Sequence, residues 1–420
     1  MGKPDGGGFF AAMNRRRFLG QTIQATGCWS LLGAVLPTAG LGAAEAGARL
    51  QLDSETVGDW RARWEKSILG DLRRRYCDTE MGEELGWLIS PFLNGFLYGY
   101  RATGDMQWVR HLVDWMDALL QRAVTEPDGY LGWPKGDGGG GDSTVYRADS
   151  MLGEAMVLRP VVLLAHQILT SPELAQWSGK AREYLALAER IFAKWDSRHC
   201  WREVSGGGLW VVARWGIDLQ TGKWSAGYRE REITGFSNPA NKQNHIARWL
   251  LAMHAVTQKA VYRERAEKWF QLFKSRIKLR ADDKYAVWNY WDPAGPWDWK
   301  SNGAPWHWVG VHPNGGYYQI DVEGIVAAFE QGVVFSRSDI DRLIATNRDF
   351  MWDQNLRGAK FQRIDGGESD ARWKNSPGLL WTALVPYDET LKRIFVANHD
   401  PASWGGLATT PWALALAVGK

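Results

Sequence analysis

The sequence has few cysteines, almost no excess charge and no phosphate-binding glycine loop, and each absence removes a class of protein. Only 3 Cys occur among 420 residues, too few for a disulfide framework. Lys and Arg total 50 and Asp and Glu total 47, giving a formal net charge of +3. Such a balance offers no surplus of cations to neutralise a nucleic acid backbone. We therefore expect no nucleic acid partner and no cofactor.

The sequence also has few residue pairs at the spacing typical of metal ligands. The 8 His residues form no His-x-x-x-His or Glu-x-x-His pair. Asp137 and Asp142 lie in a glycine run, which is more typical of a flexible loop than of a calcium site. The sequence predicts no metal site.

Tryptophan and glycine are abundant instead, with 26 Trp and 47 Gly. Hydrophobic residues at 45% and charged residues at 23% are ordinary values for a globular protein and exclude general disorder. Core packing accounts for some of the indoles. Their flat, amphipathic rings also suit stacking on sugar faces, so the excess favours a carbohydrate ligand.

The N-terminus has the pattern of an export signal. Arg15-Arg16-Arg17-Phe18-Leu19 precedes a mostly apolar stretch, and Ala43-Ala44-Glu45-Ala46 supplies small residues for cleavage. The run resembles the twin-arginine signal, which implies a periplasmic or secreted protein. Pro37 interrupts the apolar stretch before it reaches the ~20 residues of a membrane helix, so we expect no membrane span in the mature form. Residues 1–46 are predicted to be signal and extension, and residues 47–420 a single catalytic domain.

Helical spacing dominates the rest of the chain, and one helical unit is repeated. An offset of 154 carries Leu97 to Leu251, Thr103 to Thr257, Trp108 to Tyr262, Trp115 to Trp269 and Leu119 to Phe273, and an offset of 155 carries Tyr130 to Tyr285 and Trp133 to Trp288. The unit reads as a helix, a short turn, a second helix and an aromatic loop.

Further hairpins are predicted between and after the two copies. They cover 151–169 with 173–195, 317–331 with 338–352, and a final pair near 378–385 and 411–418. Such hairpins bury their apolar faces only by stacking. We expect an all-α fold, an (α/α) toroid or incomplete barrel with long aromatic loops on one face, and an open solenoid as the alternative.

Three loops that enter predicted inner helices are long and unusual, covering 136–149, 206–244 and 288–317. Loops of that length in a compact domain are usually functional. The second delivers Asn241, Asn244 and His245 at the start of a helix. These residues either cap the helix or, together with its positive end, bind an anionic group such as a carboxylate.

The other two loops supply further candidates. Arg147 precedes the second inner helix and Arg231 the third. The aromatic loop and the helix after it contain Tyr290, Trp291, Trp308, His312, Tyr317 and Tyr318. Tyr290 has no counterpart in the repeat, whereas Tyr285 matches Tyr130, so Tyr290 is the better functional candidate.

Together these features resemble the α/α-toroid polysaccharide lyases that cleave uronic acid polymers such as alginate and glucuronan, with polysaccharide lyase family 38 nearest. The resemblance implies an anionic polysaccharide substrate. It implies catalytic roles for Asn244, His245, Tyr290, His312 and Tyr317, and substrate-binding roles for Arg147, Arg231, Asn241, Trp291, Trp308 and Tyr318.

The chemistry of β-elimination explains why such residue types are needed. The C5 proton beside a charged carboxylate leaves reluctantly, so the site must first neutralise that carboxylate. Asn244 and His245 are predicted to do so by hydrogen bonding, in the manner of an oxyanion hole. A tyrosine whose phenolate is favoured by nearby cations then serves as the base.

Three alternatives remain open. A glycoside hydrolase on the same ring would use two carboxylates, and the candidate pairs are Asp149 with Asp321 and Glu154 with Glu323. A C5-epimerase would share the proton abstraction and return the proton to the opposite face. A sugar-binding protein without catalytic activity would need only the aromatic loops.

Overall fold

A computed structural model describes residues 50–135, 146–213, 217–218, 223, 234–367 and 378–419. The predicted signal at 1–46 and the candidate Arg231 lie outside the described residues, and for Arg147 only the backbone is described. The division into a signal and one catalytic domain stays a prediction.

The described residues form helices joined by short strands. The helices are α1 Ser54–Asp71, α2 Ser90–Thr103, α3 Met106–Arg122, α4 Met151–Thr170, α5 Ser178–Ser197, α6 Ala240–Thr257, α7 Ala260–Arg276, α8 Gly315–Glu330, α9 Arg337–Ala345, α10 Glu389–Asn398 and α11 Gly406–Val418. The strands are β1 Val124–Thr125, β2 Leu131–Gly132, β3 Tyr146–Arg147, β4 Trp201–Val204, β5 Gly207–Ala213, β6 Ile217–Asp218, β7 Thr234–Ser237, β8 Lys278–Arg280 and β9 Tyr285–Val287.

Inner and outer helices alternate along the chain. The inner elements α11, α2, α4, α6, α8 and the 3₁₀ segment Thr382–Tyr387 pack each against the next in that order. The helices α1, α3, α5, α7 and α10 each cover an inner element from outside. Each inner helix except the last is followed by an outer helix that runs in the opposite direction. Successive inner helices therefore run parallel, and their N-terminal ends lie on one face of the ring.

The ends of the chain close this ring. The last helix, α11, packs along α2, and the Trp64 indole of α1 donates a hydrogen bond to the Leu407 carbonyl oxygen at 3.0 Å. A Cβ built on Gly95 would lie 2.6 Å from that same oxygen, so glycine is what allows α2 and α11 to approach so closely. At the other end of the row, α10 covers the segment Thr382–Tyr387 and meets α1, with the Phe395 and Trp60 ring centroids 5.6 Å apart, and His399 contacts Thr410 of α11 at 2.8 Å. The predicted toroid is confirmed.

The repeated unit of the sequence corresponds to two similar hairpins. In each copy an inner helix turns into an outer helix through a left-handed residue, Gly104 with φ 71° and Gln258 with φ 58°. A two-stranded antiparallel ribbon follows each pair, β1 with β2 and β8 with β9. Trp115 and Trp269, which the offset aligns, are both buried in the core.

Much of the tryptophan excess belongs to the core. The largest fully buried side chains include Trp64, Trp108, Trp115, Trp210, Trp249, Trp269, Trp288, Trp291 and Trp381. Exposed indoles include Trp299, Trp306 and Trp308 on the loop before α8. Core packing is therefore the main use of tryptophan here, and stacking on a ligand is left to a small subset.

Helix α4 is long and apolar enough to cross a membrane, yet 72% of its apolar window is buried inside the protein. It lies between α2 and α6 with α5 covering it. Its apolar character is therefore explained by burial within the ring.

A buried ion network fixes the N-terminal end of α4 to the C-terminal end of α5. The Lys194 ammonium donates to Glu154 at 2.6 Å and to Asp149 at 2.8 Å. The Arg198 guanidinium contacts Glu126 at 2.6 Å and Asp149 at 3.2 Å. Buried charges are tolerated only when they are paired in this way.

Candidate functional site

Polar side chains on the inner helices converge in the lumen of the ring. On α2, Asn94, Tyr98 and Arg101 follow the spacing of one helical face and are only half-buried, whereas the opposite face enters the core. Arg159 interrupts the apolar helix α4 and donates to Asn94 Oδ1 at 3.2 Å. Arg101 donates through Nε to Gln167 Oε1 of α4 at 3.2 Å.

Helix α6 contributes His245 and Arg248 to the same space. Arg248 forms an ion pair with Glu323 of α8, and its Nε atom has no partner. We call Tyr98, Arg101, Arg159, His245 and Arg248 the lumen cluster. It combines a phenol, an imidazole and three guanidinium groups supplied by three adjacent inner helices.

The cations change the acidity of Tyr98. Burial alone would raise the pKa of its phenol, but the positive charges of Arg159 and Arg101, a hydrogen-bonding interaction with Arg159 and the charge of Arg248 outweigh burial and lower that pKa. The Arg101 guanidinium carbon lies 5.6 Å from the centre of the Tyr98 ring. The phenolate is thus favoured at a position open to the lumen.

His245 is neutral in this environment. Burial, followed by the charges of Arg248 and Arg159, lowers its pKa well below 6.5. Its Nε2 atom is buried without a hydrogen-bond partner, and its ring meets the edge of Trp87 at 5.9 Å between centroids. The predicted role of His245 in binding a substrate stays a prediction.

The position of Asn244 corrects the role predicted for it. The side chain is fully buried, its Nδ2 donates to Asp321 Oδ1 at 2.7 Å, and its Oδ1 accepts from the Trp269 indole at 2.8 Å. Both ends of the amide are therefore bonded within the core. Asn244 joins α6, α7 and α8, and its fully buried side chain is not exposed to a substrate carboxylate.

Tyr290, His312 and Tyr317 lie together at the opening of the lumen, on the face where the inner helices begin. Tyr290 stacks on Tyr317 with centroids 4.9 Å apart, and His312 lies 4.8 Å from Tyr290. Trp308 is 49% exposed beside His312. Burial is the main cause that raises the pKa of Tyr290, so this phenol is harder to deprotonate than Tyr98.

The remaining aromatic candidates are structural. The buried Trp291 indole donates to the Ser237 carbonyl oxygen at 2.7 Å. The buried Tyr318 hydroxyl accepts the backbone N–H of His312 at 2.7 Å. These contacts correct the substrate-binding roles predicted for Trp291 and Tyr318. Asn241 is also buried, and its Oδ1 has no partner among the described residues.

The carboxylate pairs of the hydrolase alternative do not come together in the lumen. Asp149 and Glu154 belong to the buried network around Lys194, and Asp321 is buried between Asn244 and the Trp288 indole. Glu323 alone of the four is partly open, and it is paired with Arg248. Neither named pair has the open geometry that two-carboxylate hydrolysis requires.

No group of three or more potential metal ligands occurs among the described ranges.

Sequence reasoning missed Tyr98, Arg101, Arg159 and Arg248. Two signals could have found them. Asn94, Tyr98 and Arg101 lie at i, i+4 and i+7, a polar stripe on a helix whose other face is apolar. Arg159 is the only cation in the apolar helix α4, and a lone charge in such a helix needs a specific partner or a ligand.

Comparison with known proteins gives a structural likeness. No family model and no curated protein matches the chain. Among solved structures it is similar to an inactive variant of the α-1,6-mannanase GH76A of Salegentibacter sp. HEL1_6, in complex with α-1,6-mannotriose. The identity is 12%, the alignment covers 86% of this chain and 97% of that chain, and the TM-score is 0.45. A likeness of this size carries no argument about chemistry.

Proposed function

We propose that this chain is a polysaccharide lyase that cleaves an anionic, uronic-acid-containing glycan by β-elimination. The observation that carries the proposal is Tyr98, a phenol of lowered pKa that is open to the lumen and surrounded by guanidinium groups. Such an arrangement suits the removal of a proton next to a carboxylate.

The arginines have unused donors for that carboxylate. A guanidinium carries five N–H groups in a fixed fork. Arg159 uses one of them on Asn94 and interacts with the Tyr98 phenol as well, and Arg101 uses one on Gln167. The remaining N–H groups can bind a carboxylate in bidentate fashion and disperse the charge that develops on it as the C5 proton leaves.

The reaction then needs only residues of this chain. The Tyr98 phenolate takes the C5 proton, the released electron pair forms the C4–C5 double bond, and the bond from C4 to the glycosidic oxygen breaks. That leaving oxygen receives the proton from the Tyr98 phenol, which returns Tyr98 to the phenolate. General acid–base assistance of this kind contributes roughly 10²–10⁴-fold to rate.

The test is Tyr98→Phe, assayed on alginate, polymannuronate and glucuronan by the ultraviolet absorbance of the unsaturated product. We expect wild type to form that product and the variant to lose roughly 10²–10⁴-fold in kcat. Tyr130→Phe, in a ribbon outside the lumen, is the matched control and should behave as wild type. Turnover by Tyr98→Phe at the wild-type rate would refute the assignment.

The same assay separates the alternatives. A hydrolase would release reducing ends without the absorbance, an epimerase would give neither signal, and a binding protein would retain the glycan unchanged. The mannanase named above belongs to the hydrolase class. Reducing ends without absorbance would therefore favour the hydrolase alternative and reject the lyase.

We also propose that the protein is exported to the periplasm or beyond by the twin-arginine route, on the strength of the Arg15-Arg16-Arg17-Phe18-Leu19 run. Replacing Arg15 and Arg16 by Lys should retain the precursor inside the cell. Export of this variant at the wild-type level would contradict the proposal.

A further inference from the structure

Five aromatic residues line the opening of the lumen. We call Tyr290, His307, Trp308, His312 and Tyr317 the mouth cluster. The rings of His307 and His312 lie 5.2 and 4.8 Å from the Tyr290 ring, measured between centroids. Tyr317 stacks on the Tyr290 ring at 4.9 Å. Together with the exposed Trp308, these rings form a wall of about the size that stacks on one sugar ring.

This cluster is fixed at the N-terminal ends of two inner helices. Tyr317 lies in the first turn of α8, and the backbone N–H of Ala240, the first residue of α6, donates to the Tyr290 carbonyl oxygen at 3.0 Å. The loop that carries His307 is anchored by buried Asp298, which accepts the Ser237 backbone N–H at 2.6 Å. The wall is therefore preorganised.

Two hydroxyl groups of the wall have no protein partner. Neither the Tyr290 nor the Tyr317 hydroxyl forms a hydrogen bond with any residue that the structure describes, although Tyr290 is only 5% exposed. Neither hydroxyl oxygen is among the buried polar atoms that lack a hydrogen-bond partner, so both are accessible from the mouth. They are available to the hydroxyl groups of a ligand.

The imidazoles of the wall are uncharged. His307 Nδ1 accepts the Trp308 backbone N–H at 2.7 Å and His312 Nδ1 accepts that of Asn314 at 3.0 Å, which places each proton on Nε2. Burial, followed by the charge of His307 and then of Arg363, lowers the pKa of His312 to about 4. Burial and then the charge of Lys242 lower the pKa of His307.

Two cations near the mouth, Lys242 and Arg363, are already paired. Lys242 donates to Glu83 at 2.7 Å, and Arg363 contacts Asp365 at 2.6 Å. The negative charges of Asp321 and Glu83 contribute, after burial and Tyr317, to the raised pKa of Tyr290. These pairings leave Lys242 and Arg363 less able to bind a carboxylate than the guanidinium groups of the lumen cluster.

A short series of contacts joins the mouth to the lumen. Glu83 accepts from Lys242 and, at 3.1 Å, from the Trp87 indole, and Trp87 in turn meets His245. A glycan reaching the lumen cluster from this face would pass the mouth cluster first. The two clusters are then successive subsites of one groove.

We propose that the mouth cluster is a subsite for an uncharged sugar, so that the preferred substrate is a glycan in which a uronate is flanked by neutral residues. This inference rests on the proposed lyase function and deepens it. The lumen would hold the acidic sugar, and the mouth would recognise its neighbour by ring face and hydroxyl groups.

The test compares glucuronan, in which every sugar is a glucuronate, with deacylated gellan, whose repeat places a single glucuronate among neutral sugars. We expect kcat/KM on gellan to exceed that on glucuronan by about 10-fold, the value of one or two neutral hydrogen bonds. Equal or faster cleavage of glucuronan would overturn the inference and leave the lyase function standing.

Variants assign the preference to the mouth. Tyr290→Phe and Tyr317→Phe should each raise KM for gellan by about 3–10-fold with little change in kcat, because an interaction made equally in the ground and transition states affects binding alone. The effect should be larger on gellan than on glucuronan, and Tyr130→Phe is the control. A fall in kcat with unchanged KM would instead mean a catalytic role and contradict the subsite.

Binding separates failure of the subsite from failure of the lyase. Affinity electrophoresis of Tyr98→Phe in gels containing either polymer measures retention without turnover. Stronger retention by gellan, lost in Tyr98→Phe with Tyr317→Phe, supports the subsite even if no polymer is cleaved. Retention by neither polymer, or stronger retention by glucuronan, overturns it.

Discussion

At the scale of single residues, the acidity of Tyr98 is set by its neighbours. Arg159→Gln removes the largest charge that favours the phenolate, so the pKa of Tyr98 should rise towards its ordinary value of 10. If the phenolate is the base, the pH at which kcat reaches half its maximum should move upward. Below that pH, each unit of displacement lowers kcat about tenfold.

The measurement is kcat against pH with saturating substrate. The matched control is Arg182→Gln, an exposed arginine on the outer helix α5, which should leave the profile in place. A profile that does not move in Arg159→Gln would show that the titrating group is not Tyr98.

Neighbouring residues Asn244 and His245 show how far sequence reasoning reaches at this scale. The sequence correctly placed both near the beginning of an inner helix. Successive residues on a helix differ by about 100° in direction, so one points between α7 and α8 and the other towards the lumen. No local sequence pattern determines which of the two residues faces the lumen. The rotation of α6 about its axis depends on the hydrogen bonds that Asn244 forms with Trp269 and Asp321.

At the scale of elements, α5 carries two lysines in opposite environments. Lys194 is fully buried and neutralises Glu154 and Asp149, whereas Lys180 pairs with Asp117 and has a side chain 38% exposed. Lys194→Met should lower the free energy of unfolding by about 3–5 kcal/mol because it removes the cation that is paired with buried Glu154. Lys180→Met should cost about 0–1 kcal/mol.

Urea denaturation of the two variants makes the comparison on one helix. Similar losses in both would mean that the buried network does not stabilise the junction of α4 and α5. The double variant Glu154→Gln with Lys194→Met should have a higher free energy of unfolding than Lys194→Met alone. Glu154→Gln removes the buried negative charge that loses its cation in Lys194→Met.

Helical elements with a clear apolar face were predictable, and those without one were not. The hairpins of α2 with α3 and α6 with α7 follow from the repeat, and left-handed Gly104 gives the first turn a local cause. Helices α1 and α10 were missed because their surfaces are largely charged and their stability comes from packing against α11 and the segment Thr382–Tyr387. Such contacts join segments that are distant in sequence, so a short stretch of sequence does not predict them.

At the scale of the whole molecule, ring closure depends on the approach of α2 to α11. Gly95→Ala places a Cβ 2.6 Å from the Leu407 carbonyl oxygen and 2.9 Å from Ile68 Cδ1, so the helices must separate. We expect a loss of about 1–3 kcal/mol, as for overpacked cores. Gly58→Ala, within α1 and with nothing near its added Cβ, should instead stabilise by up to about 1 kcal/mol.

Thermal unfolding of both variants tests the closure. A Gly95→Ala protein as stable as wild type would mean that α11 is held loosely against α2. Retention of a folded, soluble protein after removal of residues 406–420 would carry the same meaning.

Closure of the ring by its last helix also sets the order of events during synthesis. While residues 406–418 are still inside the ribosome, the side of α2 that α11 later covers remains wetted, although α2 was made some three hundred residues earlier. The first hairpins therefore cannot bury this surface of α2 until α11 has been synthesised. For the export route we propose, which carries folded cargo, transport could not begin before residues 406–418 have left the ribosome.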